Sequence, residues 1–223
     1  FYKAKNTPEA GELDFTYYNA VYTVENALAK VKDEKGMKRV EKFLREDLCP
    51  ECHGTRLSAA ARAPKLRGLS LDQACAMTLS QLLDIRPGVT AVIGGGGKTT
   101  LLRTLGEELA GQHPVLLCTT TKILPFSDLP CARTAAELDE LRGAHQLLCA
   151  GTDVPGTGKL TAPETPMAVL AEQFDYILVE ADGAARRPLK AHAPHEPVIP
   201  TEANQTICVV GASGFGRPIA AAA

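Results

Sequence analysis

The apolar positions along this chain change their period near residue 86. Before it they recur at helical spacing within a charged stretch. Val24, Leu28 and Val31 fall on one helical face, and Val40, Phe43 and Leu44 on another. This pattern predicts a helix over 22–47 with a break at Gly36. A second helix is predicted over 71–83, with Ser70 as its N-cap and Asp72 in its first turn. Beyond Arg86-Pro-Gly88 the texture is different: short β-branched runs alternate with helical stretches. Strands are predicted at 89–93, 115–119, 146–150, 176–181 and 206–210, and helices at 98–110, 134–142 and 164–173. Thr134 and Glu137 stand at capping-box spacing. Such alternation predicts a mostly parallel sheet covered by helices on both faces. Ligands of these sheets sit at the carboxyl ends of the strands.

One strand end carries Ile93-Gly-Gly-Gly-Gly-Lys-Thr-Thr100 and opens directly into a predicted helix. That is the context in which a glycine-rich loop cradles phosphate. Gly94, Gly95, Gly96 and Gly97 lack Cβ, so their backbone N–H groups can close on phosphate oxygens at a helix N-terminus. Lys98 adds a full positive charge, Thr99 a hydroxyl for Mg²⁺, and Thr100 a further donor. The longer spacing G-x-x-x-x-G-K-[ST] requires a glycine where Val92 stands, so this is a compact form of the loop. ATP or GTP is the expected ligand, with Mg²⁺; no motif selects the base.

A second strand end, Val179-Glu-Ala-Asp182, places two acids one residue apart, on the same side of an extended segment. Glu180 and Asp182 are therefore candidates to hold Mg²⁺ or orient a water, with Lys98 the third candidate catalytic residue. Thr99 and Asp182 form the expected metal pair. Thr119-Thr-Thr-Lys122 ends another strand, and Thr120 is a candidate phosphate contact. Arg186, Arg187 and Lys190 follow the acids and would hold a second anionic group or a transferring phosphate. His192 and His195 could be metal ligands, but in a Pro-rich loop they read more readily as surface residues. A glycine-rich turn at 211–216 is a candidate contact for a base or ribose.

Charge excludes little. Residues 1–86 carry 14 basic and 12 acidic side chains, and residues 87–223 carry 10 and 14. Neither balance argues for nucleic acid. The seven cysteines are an odd number. Cys118, Cys149 and Cys208 lie in apolar runs and read as buried thiols of a reducing, cytoplasmic protein. No apolar run reaches a membrane span, and no signal segment stands at the start. Cys49 and Cys52 have knuckle spacing and are candidate Zn²⁺ ligands. A structural zinc takes four, so an unmetallated pair stands as the alternative.

Two resemblances follow from longer segments. Arg86-Pro-Gly-Val-Thr-Ala-Val-Ile-Gly-Gly-Gly-Gly-Lys-Thr-Thr-Leu-Leu102, Thr119-Thr-Thr-Lys122, Val179-Glu-Ala-Asp-Gly-Ala-Ala-Arg-Arg-Pro-Leu-Lys190 and His195-Glu-Pro-Val-Ile-Pro200 resemble the YqeC-type selenium-dependent hydroxylase accessory proteins. The resemblance implies a P-loop protein that serves maturation of selenium-dependent molybdenum hydroxylases. A hydroxylase or one of its maturation factors would then be a partner. It also implies that the family's C-terminal portion is missing. Lys35-Gly-Met-Lys-Arg-Val-Glu-Lys-Phe-Leu-Arg45 and Leu48-Cys-Pro-Glu-Cys-His-Gly-Thr-Arg-Leu57 resemble part of a UvrA-type excision-repair ATPase. There the cysteine pair joins another pair on zinc, and DNA becomes the alternative partner.

The expectation is thus an α/β protein with a mostly parallel P-loop-type sheet over residues 87–223. A small, mainly helical segment with the CxxC knuckle precedes it at residues 1–86.

Overall fold

The computed structural model describes residues 16–222. Residues 1–15 of the expected N-terminal segment lie outside them. The chain divides into two compact units, one ending at Lys65 and one beginning at Leu66. The second unit thus starts ahead of the Arg86-Pro87-Gly88 punctuation.

In the first unit α1 (Ala20–Ala29) and α2 (Glu34–Glu41) replace the long helix expected over 22–47, and a short α3 (Ala59–Arg62) follows. The break falls at Lys30–Asp33, not at Gly36. Asp33 caps α2, its carboxylate accepting the Gly36 N–H at 2.7 Å. Gly36 lies inside α2, where an added Cβ would stand 3.0 Å from Asp33 Oδ1. The glycine therefore makes room for the cap rather than ending a helix.

The helix expected over 71–83 is likewise two, α4 (Leu71–Ala76) and α5 (Leu79–Leu82). Ser70 opens the first, its N–H donating to Gln73 Oε1 at 3.0 Å. Thr78 opens the second: its hydroxyl accepts from Gln81 N–H, and Gln81 Oε1 accepts from Thr78 N–H. A second capping box inside the run restarts the helix there.

The centre of the second unit is a six-stranded sheet. Its strands are β1 (Gly88–Gly94), β2 (Val115–Thr119), β3 (Cys131–Ala132), β4 (Leu147–Ala150), β7 (Tyr176–Glu180) and β8 (Ala203–Val209). The spatial order is β8-β1-β7-β2-β4-β3, and every neighbouring pair is parallel. A small antiparallel hairpin, β5 (Thr152–Val154) and β6 (Lys159–Thr161), stands beside it.

The helices are α6 (Lys98–Leu109), α7 (Ala135–Arg142), α8 (Met167–Gln173) and α9 (Ile219–Ala222). Alternate residues of each central strand face opposite layers. Val92, Val115, Leu117, Tyr176 and Leu178 pack with Leu102 and Leu105 of α6, and with Leu83 and Ile85 beyond α5. Val89, Leu116, Cys118, Ile177 and Val179 pack with Leu138 of α7 and Leu170 of α8. The fold is a three-layer α/β/α sandwich, with a near-continuous apolar character in its central strands, as burial on both faces demands.

Short pieces had no signal in the sequence, among them β3 and the β5–β6 hairpin beside the sheet. β3 is two residues long, and hairpin strands β5 and β6 carry polar residues around the turn Pro155-Gly-Thr-Gly158. Neither gives a periodic apolar signal. Cys118 and Cys149 are buried as expected, and burial pushes the Cys118 thiol up to about 12. Cys208 is a correction: it is exposed. It lies on β8, an edge strand whose burial alternates, so an apolar neighbourhood in sequence did not mean a covered side chain.

Candidate functional site

The parallel register carries three strand ends to one edge. Glu180, last residue of β7, lies opposite Val92 of β1 on one side and Thr119 of β2 on the other. The glycine loop leaves β1 at the same edge. Gly94 and Gly97 have φ of 97° and 101°, a left-handed conformation that favours glycine. The turn delivers the chain into α6, whose N-cap, Gly97, has no side chain to satisfy the first helical N–H groups. Among the described residues the backbone N–H groups of Gly97, Lys98, Thr99 and Thr100 have no acceptor. They are adjacent donors at the positive end of a helix of twelve residues.

The upstream glycines are held differently. Gly95 N–H donates to Val209 O at 2.7 Å, and Gly96 N–H donates to Arg187 O at 2.6 Å. A Cβ on Gly95 would stand 2.1 Å from Pro188 O. Residues 186–188 therefore lie directly on this part of the loop.

Lys98 is buried, and its ammonium donates to Gly94 O at 2.8 Å and Gly95 O at 3.1 Å. Burial draws its pKa below the usual lysine range, against the pull of Glu180 and Asp182. Thr99 Oγ1 donates to Glu180 Oε2 at 2.8 Å. Burial raises the Glu180 carboxyl, and that hydrogen bond and Lys98 only partly oppose it.

Asp182 is turned to another task. It is fully buried; its Oδ2 accepts the Gly94 N–H at 3.0 Å and lies 2.8 Å from His192 Nε2. Its Oδ1 stands 3.3 Å from the Lys190 ammonium, which also pairs with Glu196 at 2.6 Å. Burial alone would raise this carboxyl; the Gly94 N–H, His192 and Lys190 outweigh it and hold it below the ordinary range. Asp182 thus ties the glycine loop to the 183–196 segment. His192, read from sequence as a surface residue, is part of that tie.

A cleft of about 760 Å³ opens over this edge. Gly96, Gly97, Lys98, Thr99, Thr100, Glu180 and Arg186 line it, together with Lys122, Leu124 and Lys159. Asp182, Thr120 and Arg187 do not. Thr120 Oγ1 donates to Val198 O, and Arg187 donates to Ala220 O at 3.3 Å. Gly94 and Gly95 shape the loop from behind. Lys159 had no signal in the sequence, because it comes from the unforeseen hairpin.

In the first unit Cys49 and Cys52 stand in a turn closed by His53 N–H on Cys49 O at 2.7 Å. Backbone N–H groups of Arg56 and Gly54, together with Cys49, draw the Cys52 thiol below its usual range. Among the described residues no group of three or more His, Cys, Asp or Glu gathers as a metal site. The same residues include no helix long and apolar enough to cross a membrane.

The family model of the YqeC protein matches residues 90–223. This chain belongs to the YqeC family. Its relative in Escherichia coli (strain K12), described as uncharacterized protein YqeC, is 34% identical over 142 residues. That match covers 60% of this chain and 56% of the relative, so the chain spans little more than half of the relative's length. No solved structure matches. The excision-repair resemblance of residues 1–84 finds no support in these matches. A two-cysteine knuckle and a helical stretch are local features that unrelated chains share. The YqeC family match, by contrast, spans all but the first two residues of the sheet and every side chain of the cleft.

Proposed function

We propose that the second unit of this YqeC-family chain binds a nucleoside triphosphate with Mg²⁺ at the carboxyl edge of its sheet. The observation that carries the reading is the run of acceptor-free N–H groups from Gly97 to Thr100 beside the Thr99–Glu180 pair. Adjacent helix-terminal donors with no partner suit phosphate oxygens. Thr99 and Glu180 suit Mg²⁺, which takes few protein ligands and completes its shell with phosphate and water. Lys98, held over the loop, would shift from its two carbonyl partners to phosphate. Asp182 holds Gly94 and the 183–196 segment in place and reaches the metal only through the loop it positions.

Bound Mg²⁺–nucleotide supplies an activated phosphate chain. This chain's residues orient it, neutralise it, and in Glu180 offer a carboxylate to a coordinated or attacking water. The role implied by the family resemblance, maturation of selenium-dependent molybdenum hydroxylases, belongs to the same proposal, with a hydroxylase or maturation factor as partner. Zinc on Cys49 and Cys52 would require further ligands from outside the described residues.

Binding of labelled ATP and GTP with and without Mg²⁺ tests the reading, with Lys98→Ala as control. Mg²⁺-dependent binding that falls at least tenfold in the variant supports it. Equal binding by both proteins sinks it.

A further inference from the structure

The cleft carries more positive side chains than the phosphate loop alone supplies. Residues 87–223 carry 10 basic and 14 acidic side chains, yet among the described residues Lys98, Lys122, Lys159 and Arg186 all line this cleft, with Glu180 the one acid there. Lys98 is committed to the loop. Lys122, Lys159 and Arg186 have no side-chain partner among the described residues.

Two of the three are placed by a backbone device. Ile123 and Leu160 form an antiparallel bridge, N–H to O at 3.0 Å one way and 2.8 Å the other. Both side chains are buried, at 5% and 0% exposure. Residues on either side of a bridged position face the opposite way. Lys122, Leu124 and Lys159 therefore share the face turned from the core, and that face lines the cleft. Leu124 opposes Lys159 across the bridge and leaves 58% of its surface exposed, an apolar contact beside the two charges.

The third cation is placed at a conformational cost. Ala185 and Arg186 both have positive φ, 45° and 62°, which non-glycine residues seldom adopt. Such strain persists where the surroundings enforce it. Here it sets the Arg186 carbonyl against Gly96, 3.2 Å from where a Cβ would stand, and Arg186 lines the same cleft as the two lysines.

We infer that the outer half of the cleft is a subsite for a second, phosphate-bearing small molecule. Lys122 and Lys159 hold its anionic group, Leu124 meets its apolar or ring portion, and Arg186 faces the junction with the nucleotide. The inference rests on the nucleotide reading for the identity of its neighbour. It makes this protein a two-substrate device rather than a simple triphosphatase, since a hydrolase needs only water beside the terminal phosphate.

The test is calorimetric titration of inorganic phosphate into the full chain, with and without saturating Mg²⁺ and a non-hydrolysable ATP analogue. Wild type, Lys98→Ala and the double variant Lys122→Ala/Lys159→Ala are compared. Both lysines are exposed, so the double variant keeps its core. Phosphate affinity is expected to fall at least tenfold in the double variant, while analogue affinity stays within threefold. Lys98→Ala is expected to show the reverse. Phosphate binding unchanged by the double substitution overturns the subsite. So does a parallel loss of analogue binding, which would assign the lysines to the nucleotide's own phosphates. If the analogue fails to bind the wild type, the nucleotide reading falls, and the phosphate titration of the nucleotide-free proteins still decides the subsite.

Discussion

Glu180 and Asp182 are one residue apart in sequence and opposite in electrostatics. Burial raises the Glu180 carboxyl, so the ionised form costs stability in the ligand-free fold. For a group whose folded pKa is raised, the contribution is full below the unfolded pKa and is lost as pH rises through the folded value. Glu180→Gln removes that loss. The variant is expected to melt a few degrees higher than wild type at neutral pH without ligand, and to lose Mg²⁺-dependent nucleotide binding. A lower melting point would show that Glu180 is a structural ion-pair partner instead. Asp182 runs the other way. Its carboxyl is depressed, so its stabilisation is present above the unfolded pKa and disappears as pH falls through the folded one. Asp182→Ala strips a buried acid from Gly94, His192 and Lys190 and is expected to cost about 3 kcal/mol. Denaturant unfolding at neutral pH and near pH 3 checks this, because the difference from wild type should shrink in acid. The sequence showed both acids. It did not show their division of labour, which is set by Gly94, His192 and Lys190 from separate stretches of chain.

The element that decides the geometry of the site is the contact between the glycine loop and the 183–190 segment. Gly95 has Pro188 O where a Cβ would sit, 2.1 Å away, whereas Gly183 has nothing within 4 Å. Gly95→Ala is therefore expected to destabilise by about 2 kcal/mol or to displace the segment. Gly183→Ala is expected to stay within about 0.5 kcal/mol of wild type. Equal melting temperatures for the two variants would show that the segment does not press on the loop. Elements with a strong period, such as β1, β2, β7 and α6, were legible from the chain alone. The glycine run was legible for the same reason, because it sits between a strand and a helix. The 71–83 stretch kept its helical period, yet Thr78 and Gln81 divide it by a local hydrogen-bond choice that period cannot report. Lys159 was invisible because its hairpin has too few apolar residues to betray a strand, and its place in the cleft depends on a single bridge to Ile123.

At the scale of the whole molecule, composition and compactness divide the chain at different points. The texture changes at Arg86-Pro87-Gly88, but the compact unit begins at Leu66. The reason lies in α5. Glu108 of α6 accepts the N–H groups of Leu79 and Ser80 at 3.0 and 2.7 Å, capping α5 from across the layer. Gln205 of β8 donates to Leu83 O at 3.0 Å. Residues 66–86 are thus fastened to the sheet by the partly buried Leu83 and Ile85 and by these hydrogen bonds. A cut at 86 would strip Leu83 and Ile85 from the core around α6, whereas a cut at 65 leaves that core whole. Every residue of the cleft lies within 66–223. The chain 66–223 is therefore expected to melt cooperatively and to bind Mg²⁺–nucleotide within threefold of the full chain. The chain 87–223 is expected to be less stable by about 2–4 kcal/mol, the scale of removing one or two large core side chains. Saturating nucleotide at a hundredfold excess over Kd should return about 2.7 kcal/mol to whichever fragment binds it. Thermal melts of both fragments with and without ligand settle the point. If 87–223 melts with 66–223, the α5 layer is an accessory and the compositional boundary is the real one.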